Sequence, residues 1–399
     1  MTEKQWCFEP FDTWFFRESR PLDTISGTEL SSLFPPPART VVGAIRSLIG
    51  ENRQVNGEHC PVIWKNLKHD EYQDIRKEIG GEADDDFGQL ELQGPFLIRK
   101  AQRLYPVPLS LMEKDNHFYY LQIGKPLQIG KPVHCDLGEK VCLPSLPKLK
   151  EKVKGAKPLD KAWLTKCGLK KVLCGELPHY SEVIRQSELF QYESRLGIVR
   201  DRQIRATKEG LLYQTQQLRL CEDIKIGAIV KGISADLHPN TKQVTRFGGE
   251  GRLASVEITD ELPPTVTPEN HSQNLFLMLL TPAYLGWKKD NWLPAPNFQR
   301  DESGECTVWK GKINGVALKI ISAVLGKPIR EGGWNLRKHC PRPLKSLVPA
   351  GSVWFCQVEG NLDNAIKGLN GYHIHDGTES GYKEAQGLGR GELIVGIWK

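Results

Sequence analysis

The stretch "LFPPPARTVVGAIRSLIG", residues 33–50, combines three consecutive prolines with the apolar periodicity of a short helix. Prolines suit the start of a helix and cannot continue one behind them, so we predict that the helix begins at Ala38. Its apolar residues follow the i, i+3, i+4, i+7 spacing of a core-facing stripe, and Gly50 provides a stop. Arg39 and Arg46 fall close together beside that stripe, so the helix either carries two solvated arginines or brings them to an anion.

Upstream of this helix lies a dense aromatic run, "WCFEPFDTWFFRESRPLD", residues 6–23. Apolar residues that alternate with polar ones and then become aromatic predict a buried strand. Arg17 and Arg20 follow the run and Pro21 terminates it, so the predicted order is buried strand, arginine-bearing loop and helix. A Rossmann or P-loop nucleotide site needs glycines at this junction, and the sequence has none there.

Length and composition describe a globular protein of two domains. The chain has 399 residues, of which 39% are hydrophobic and 26% are charged. No stretch approaches the roughly 18 apolar residues of a membrane span, and the start "MTEKQWCFEP" lacks the apolar segment of a signal peptide. The ten cysteines are scattered, which favours reduced thiols and a cytoplasmic location. A net charge of +6 is compatible with a polyanionic partner without proving one.

The segment "YESRLGIVRDRQIRATKEGLLYQTQQLRL", residues 192–220, contains two β-like runs around a strongly basic loop. The basic residues assigned to this loop are Arg195, Arg200, Arg202, Arg205 and Lys208. The plain interpretation is a solvated basic hairpin. The functional interpretation is a cationic finger that follows a phosphate backbone, because such contacts need several arginines on one extended element.

The second half of the chain predicts further strands at "KIGAIVKGI", "GRLASVEI", "NLFLMLLTP" and "GSVWFCQV". A helix is predicted across "GVALKIISAVLG", residues 315–326. Two glycine-rich stretches lie beside arginines: "RFGGEGR", residues 246–252, and "GLGRGELIVGIWK", residues 387–399. A dinucleotide-binding loop must open a helix, whereas a short strand follows the second stretch. We interpret these glycines as permitting close approach of the backbone to a partner; the alternative for the second stretch is a flexible terminal turn.

Motifs for catalysis or metal binding are poor in this sequence, which contains no H-E-x-x-H, no G-x-S-x-G and no paired C-x-x-C. Cys135 with Cys142 and Cys167 with Cys174 repeat a C-x₆-C spacing that is wide for a structural zinc site. The histidines of "YHIHD", residues 372–376, could bind a metal or act as a base, but histidines on a surface strand are commoner. We therefore expect no catalytic residues, no metal and no cofactor.

Eight stretches, collinear over nearly the whole chain, resemble a known family: subunit three of the Cmr complex, the type III-B CRISPR RNA-guided effector. The stretches are "FEPFDTWFFRESRPLD", "PPPARTVVGAIRSLIG", "GPFLI", "RLGIVRDRQIRATKEGLLY", "FGGEGRLA", "GKPIREGGWNL", "SLVPAGSVWF" and "GLGRGELIVGIW". One such motif would be weak evidence for the resemblance, but eight in the same order are strong evidence.

The resemblance implies an α+β fold. The family belongs to the RAMP superfamily, whose members consist of ferredoxin-like (RRM-like) domains with antiparallel sheets, inserted loops and a C-terminal glycine-rich loop. We therefore expect an N-terminal RAMP domain over residues 1–220, with insertions at about 52–90 and 121–180. A C-terminal RAMP domain is expected over residues 221–399 and would end in the glycine-rich loop.

The resemblance also implies a function. Members of this family hold the repeat-derived 5′ tag of the crRNA, dock on the large polymerase/cyclase-type subunit beside backbone RAMP subunits, and meet target RNA only indirectly. They are not known for catalysis of their own, so we expect a non-catalytic RNA-binding subunit in antiviral defence, without membrane association. Three alternatives are a crRNA-processing RAMP endoribonuclease, the tag-binding subunit of a Csm-type complex, and a scaffold that contacts only protein.

The candidate RNA-binding residues are arginines and glycines that would together cradle phosphates. They are Arg17, Arg20, Arg39, Arg46, Arg195, Arg200, Arg202, Arg205, Arg246, Gly248, Gly249, Arg252, Gly387, Gly389, Arg390 and Gly391. For the last group, Gly389→Val and Arg390→Ala are expected to weaken retention of the tag while melting stays near normal.

Overall fold

The structure, a computed structural model, describes residues 3–18, 29–81, 85–123, 137, 140–147, 153–200, 207–268, 272–286, 292–335 and 338–398. It is a mixed α/β protein whose strand pairings are mostly antiparallel, which confirms this part of the expected fold class. Within these ranges, no helix is both long enough and apolar enough to cross a membrane.

The strands and helices are numbered separately in chain order. The strands up to residue 185 are β1 (Lys4–Pro10), β2 (Glu29–Leu30), β3 (Gln54–Val55), β4 (Glu58–His59), β5 (Glu91–Arg99), β6 (Gln102–Arg103), β7 (Tyr105–Pro106), β8 (Leu111–Lys114), β9 (His117–Tyr120), β10 (Gln122–Ile123), β11 (Pro144–Ser145), β12 (Lys157–Pro158), β13 (Ala162–Leu164) and β14 (Val183–Arg185). The later strands are β15 (Phe190–Arg200), β16 (Thr207–Leu220), β17 (Ile224–Lys231), β18 (Gln243–Arg246), β19 (Leu253–Thr259), β20 (Asn274–Leu279), β21 (Gln299–Asp301), β22 (Val308–Ile313), β23 (Val316–Val324), β24 (Ile329–Glu331), β25 (Trp334–Asn335), β26 (Cys340–Pro341), β27 (Lys345–Leu347), β28 (Val353–Glu359) and β29 (Leu393–Ile397). The α-helices are α1 (Ala38–Glu51), α2 (Gln73–Ile79), α3 (Lys166–Leu173), α4 (Leu362–Leu369) and α5 (Glu379–Gly387).

The chain divides into two compact units that are interleaved along the sequence. Unit 1 contains Met1–Ala101, Ser187–Leu262 and Arg330–Lys345. Unit 2 contains Gln102–Gln186, Pro263–Ile329 and Ser346–Lys399. This division differs from the sequence-based boundary between residues 220 and 221. The reason is strand pairing, since β17 and β19 both flank β1 in one antiparallel sheet.

The main sheet of unit 1 contains strands in the order β18-β19-β1-β17-β5. Helix α1 begins at Ala38, as predicted, and packs against β5 and β18. The apolar stripe of this helix is buried and consists of Val41, Val42, Ala44, Ile45, Leu48 and Ile49. An aromatic cluster completes the core, because Phe247 stacks on Phe8 with ring centroids 4.7 Å apart and meets Trp14 and Phe16 edge-on.

The first strand is shorter than the aromatic run predicts. β1 ends at Pro10, and Phe11 is 62% exposed. Trp14 is fully buried beyond the strand, where its main chain exchanges hydrogen bonds of 2.9 and 2.7 Å with Leu218 of β16. The aromatic run therefore indicated burial correctly except at Phe11, but it did not indicate the length of the strand, because aromatic side chains also fill a core from an irregular segment.

Strands β15 and β16 form a long antiparallel hairpin, which confirms the two β-like runs predicted for residues 192–220, and β2 joins β16 in parallel. The register pairs Arg195 with Thr215 and Gly197 with Tyr213. Since side chains alternate across a strand, odd-numbered residues of both strands share one face over this part of the hairpin. The connecting residues 201–206 lie outside the described ranges.

The main sheet of unit 2 has the order β21-β22-β23-β28-β20-β29. Both faces of β20 are buried, because Leu275 and Leu277 belong to one apolar cluster while Phe276 and Met278 belong to another. Helix α4 packs against β23 and β29. The strands predicted at "KIGAIVKGI", "GRLASVEI", "NLFLMLLTP" and "GSVWFCQV" are present as β17, β19, β20 and β28.

The helix predicted for residues 315–326 is wrong, since this segment forms β23 between β22 and β28. Leu318, Ile320 and Ser322 are buried and alternate with less buried neighbours, as in a strand. A short apolar run fits helical and extended periodicity equally well, and pairing with strands on both sides decided the outcome.

Candidate nucleic-acid interface

Three arginines of unit 1 converge on the carboxylate of Asp12, which lies two residues after the end of β1. Arg195 donates to Oδ2 at 2.8 Å and Arg219 donates to Oδ1 at 2.9 Å. Arg252 also donates to Oδ2, at 3.4 Å. Glu193 adds a second carboxylate, which accepts from Arg195 at 2.7 Å and from Arg219 at 2.6 Å. We call these five residues the arginine cluster.

The strand register explains how the hairpin contributes three members of the arginine cluster. Glu193, Arg195 and Arg219 are all odd-numbered and therefore lie on one face of the β15–β16 pair. Asp12 is brought to that face because the next residue, Thr13, donates to the side chain of Gln217 at 2.5 Å. The main-chain pairing of Trp14 with Leu218 then fixes the segment in place.

The glycine-rich turn at residues 246–252 positions the remaining arginine. Gly249 N–H donates to the carbonyl of Phe15 at 2.8 Å. Gly248 has a φ of +88°, and a Cβ there would lie 2.5 Å from the same oxygen. These glycines therefore permit close approach, as predicted, but the neighbour is the protein's own backbone. Arg252 follows the turn and is held with it against the aromatic core.

The arginines of the arginine cluster lower the pKa values of its two carboxyl groups. The hydrogen bond from Arg195 lowers the pKa of the Asp12 carboxyl, and Arg219 lowers it further. The same two arginines lower the pKa of Glu193. Both acids are therefore ionised at neutral pH, and three guanidinium groups face two carboxylates. The cluster keeps an excess of positive charge at the base of the basic hairpin.

Arg39 of helix α1 also reaches an anion, but the anion belongs to the protein. Arg39 donates to Asp85 at 2.7 Å and lies 3.8 Å from Glu331. Arg342 donates to the same carboxylate at 3.2 Å. Burial lowers the pKa of the Arg46 guanidinium, although the charge of Asp86 opposes that shift. Arg39 and Arg46 thus belong to a partly buried charge cluster within unit 1.

The C-terminal glycine-rich stretch lies between α5 and β29 in unit 2. Arg390 is 3% exposed and donates to Glu384 at 2.7 Å, so its guanidinium faces the interior and not an external phosphate. Gly391 has a φ of +72°, and a Cβ there would overlap the carbonyl oxygen of Ile374. Gly389 also has a positive φ, of 61°. Gly389 and Gly391 thus serve the fold itself, while Gly387 is the last residue of α5.

The remaining candidates are dispersed or lie outside the described residues. Arg17 and Arg246 are exposed. Arg20, Arg202 and Arg205 lie outside the described ranges, and only the backbone of Arg200 is described. Three members of the arginine cluster, Asp12, Glu193 and Arg219, were missed in the sequence. Arg219 lies four residues after Thr215, an even spacing that would have placed it on the face of Arg195 once the register was known.

The described residues contain no group of three or more His, Cys, Asp or Glu side chains arranged to hold a metal ion. His373 Nδ1 donates to the carbonyl of Arg390 at 2.8 Å, so this histidine supports the C-terminal turn. Cys142 approaches Cys306 with 2.7 Å between sulfur atoms, and burial raises the pKa of the Cys142 thiol to about 12. The second cysteine of the first C-x₆-C pair thus contacts a distant cysteine, and Cys135 lies outside the described residues.

Comparisons with known proteins agree with the resemblance seen in the sequence. The family described as CRISPR-associated protein (Cas_Cmr3) matches residues 6–398, and no curated protein matches the chain. A chain of the type III-B Cmr-beta complex bound to cognate target RNA and AMPPnP is similar over 88% of this chain and 86% of its own, with 14% identity and a TM-score of 0.47. A chain of the Csm3-Csm4 subcomplex of the type III-A interference complex is similar over 90% and 93%, with 13% identity and a TM-score of 0.36. Because the family match spans nearly its whole length, the chain belongs to the CRISPR-associated Cas_Cmr3 family.

Proposed function

We propose that this protein is a non-catalytic RNA-binding subunit of a type III-B CRISPR effector complex in the cytoplasm. It holds the 5′ tag of the crRNA and docks on the large polymerase/cyclase-type subunit beside the backbone RAMP subunits. Target RNA is met only indirectly. Membership of the Cas_Cmr3 family supports the assignment to a CRISPR effector.

The convergence of Arg195, Arg219 and Arg252 on one carboxylate is the observation that carries the RNA-binding part of this proposal. Charge-assisted hydrogen bonds from arginine are the strongest common contacts to phosphate oxygens. In the sequence, Arg202 and Arg205 lie between the two strands of this hairpin. Several phosphates of one strand can therefore be bound along a single extended element.

Aromatic side chains near the arginine cluster supply surfaces on which bases stack. Tyr213 shares the odd-numbered face of the hairpin and lies over Gly197, where a Cβ would clash with its ring. Its hydroxyl donates to Glu250 at 3.3 Å. Tyr192, on the opposite face, is 49% exposed. Single-stranded RNA is commonly held by this combination of arginine and aromatic side chains.

The RNA-binding set that we propose is smaller than the set suggested by the sequence. It consists of the three arginines of the arginine cluster (Arg195, Arg219 and Arg252) together with Arg17, Arg200, Arg202, Arg205 and Arg246. Arg39, Arg46 and Arg390 instead stabilise the fold, because their charges are engaged inside the protein.

We further propose that the units are tandem ferredoxin-like RAMP domains. In unit 1 the strands β1, β5, β17 and β19 have the spatial order β19-β1-β17-β5, and α1 connects the first two. In unit 2 the strands β20, β23, β28 and β29 have the spatial order β29-β20-β28-β23, and α4 and α5 lie between β28 and β29 in the chain. Both orders place the fourth strand beside the first and the third beside the second. In each unit, helices connect two of the four strands, as in a βαβ half of the ferredoxin-like motif, which supports this interpretation. The turn at residues 388–391 then corresponds to the C-terminal glycine-rich loop.

Incubating the purified protein with labelled CRISPR-repeat RNA tests the proposed function. Retention of intact RNA is expected. Metal-dependent cleavage that a point mutation in this chain abolishes would identify a nuclease, and neither retention nor cleavage would identify a protein scaffold. Crosslinking of RNA in the assembled complex, followed by mass spectrometry, should recover peptides from residues 192–220 and 246–252.

A further inference from the structure

Asp12 is held at the arginine cluster by the two residues that follow it. The two residues that follow it, Thr13 and Trp14, bond to Gln217 and Leu218 of the hairpin. Its carboxylate therefore stands where the guanidinium groups of Arg195 and Arg219 converge, with hydrogen bonds of 2.8 and 2.9 Å. Removing the carboxylate would leave that point of convergence in place.

The carboxylate of Asp12 has the binding pattern of a phosphodiester. Its two oxygen atoms accept hydrogen bonds from three guanidinium groups, as the two non-bridging oxygens of an RNA phosphate would. The side chain of Asp12 is 43% exposed and that of Arg219 is 49% exposed, so an anion can approach this point from solvent. Arg252 Nε is buried and has no hydrogen-bond partner among the described residues.

We propose that Asp12 occupies a phosphodiester-binding site formed by Arg195, Arg219 and Arg252, and that RNA must displace this carboxylate in order to bind there. This inference rests on the proposed function as an RNA-binding subunit. Exposed ion pairs are weak, so the displacement is easily achieved when a strand of RNA engages several arginines at once. Asp12 thereby limits the affinity for isolated phosphates and reserves the site for a multivalent polyanion.

The inference is tested with the full chain and its variants Asp12→Asn and Asp223→Asn. Asn at position 12 keeps the size of the side chain but cannot compete as an anion. Asp223 is an exposed aspartate of unit 1, so its replacement controls for the change in net charge. Binding of labelled repeat RNA is measured at several salt concentrations. We expect Asp12→Asn to bind RNA about fivefold more tightly than the parent, and Asp223→Asn to stay within about twofold.

A second measurement separates this inference from the proposed function. Sodium pyrophosphate is titrated while melting is followed, and it should raise the melting temperature of Asp12→Asn more than that of the parent or of Asp223→Asn. If no variant binds RNA but pyrophosphate still stabilises Asp12→Asn selectively, the proposed function fails and the anion site stands. If the parent binds RNA and Asp12→Asn matches Asp223→Asn in both measurements, the inference is overturned and the function stands. Glu193→Gln, which removes the neighbouring carboxylate, serves as a second variant if Asp12→Asn does not fold, with the same expected direction.

Discussion

Arg39 on helix α1 donates a 2.7 Å hydrogen bond to Asp85, which lies in the turn after α2. Burial alone would raise the pKa of Asp85, but the charge of Arg39 outweighs it, with contributions from Lys345 and Arg342, and the pKa is lowered. The prolines before α1 therefore start a helix whose arginine completes an internal charge cluster. The anion that the sequence pattern suggested is a carboxylate of the same chain.

Replacing Asp85 with alanine is expected to destabilise unit 1. Arg39 and Arg342 would lose their shared carboxylate in a partly buried place, and their like charges would no longer be separated by an anion. Because Asp85 is partly exposed, we expect the free energy of unfolding to fall by about 1 to 3 kcal/mol. Urea unfolding measures this change. Glu58→Ala, at an exposed hairpin of the same unit, should change the free energy by less than about 0.5 kcal/mol; an equal loss in both variants would refute the prediction.

Removing three arginines from the hairpin together, Arg200, Arg202 and Arg205, should weaken RNA binding for all sequences alike. Log affinity falls with log salt, and each lost phosphate contact makes this slope shallower by about 0.7 for single strands, or by about 2 for three contacts. Titrations of labelled RNA at four salt concentrations give that slope. The control replaces exposed Lys65, Lys68 and Lys77, which removes the same charge elsewhere in unit 1. A slope that stays the same in the arginine variant would mean that these side chains are merely solvated.

Arg390→Ala should destabilise unit 2, although the sequence alone predicted near-normal melting for this variant. The pair of Arg390 with Glu384 is buried, so removal of one partner leaves an uncompensated charge and costs about 3 to 5 kcal/mol. Thermal unfolding should show the loss clearly. Lys383→Ala breaks an exposed pair with Glu379 nearby and should have almost no effect. Near-normal melting of Arg390→Ala would restore the earlier expectation that this arginine binds phosphate.

His238 should make the protein less stable in mild acid. It accepts a hydrogen bond from Trp6 Nε1 at 3.2 Å, and burial lowers its pKa from 6.5 to about 4. The unfolded chain therefore binds a proton that the folded chain rejects between these values, so stability is complete above about pH 6.5 and falls as the pH drops toward 4. Melting at a series of pH values measures the effect. Asn at position 238 keeps an acceptor for Trp6 without titrating, so His238→Asn should lose less stability than the parent between pH 7 and pH 5; identical pH profiles would exclude His238 as the cause.

Local physics determined the parts of this protein that depend on neighbouring residues. Three prolines and an apolar stripe predicted a helix that begins at Ala38, and it does. Alternating apolar runs predicted the hairpin at residues 192–220 and the strands β17, β19, β20 and β28. Eight collinear stretches were sufficient to identify the family. These features are encoded by rotamer, turn and burial preferences that act within a few residues or by direct likeness of sequence.

Only the tertiary structure decided what each arginine contacts. Arg195 and Arg219 lie on paired strands and meet Arg252, from the turn before β19, at Asp12, whereas Arg39 and Arg390 pair with acids inside the protein. Residues 315–326 became a strand because β22 and β28 offered hydrogen-bonding edges on both sides. The physical reason is the same in each case. A side chain's charge and a segment's periodicity are local properties, but whether a charge is neutralised or an edge is paired depends on partners that are distant in the chain and are brought close only by folding.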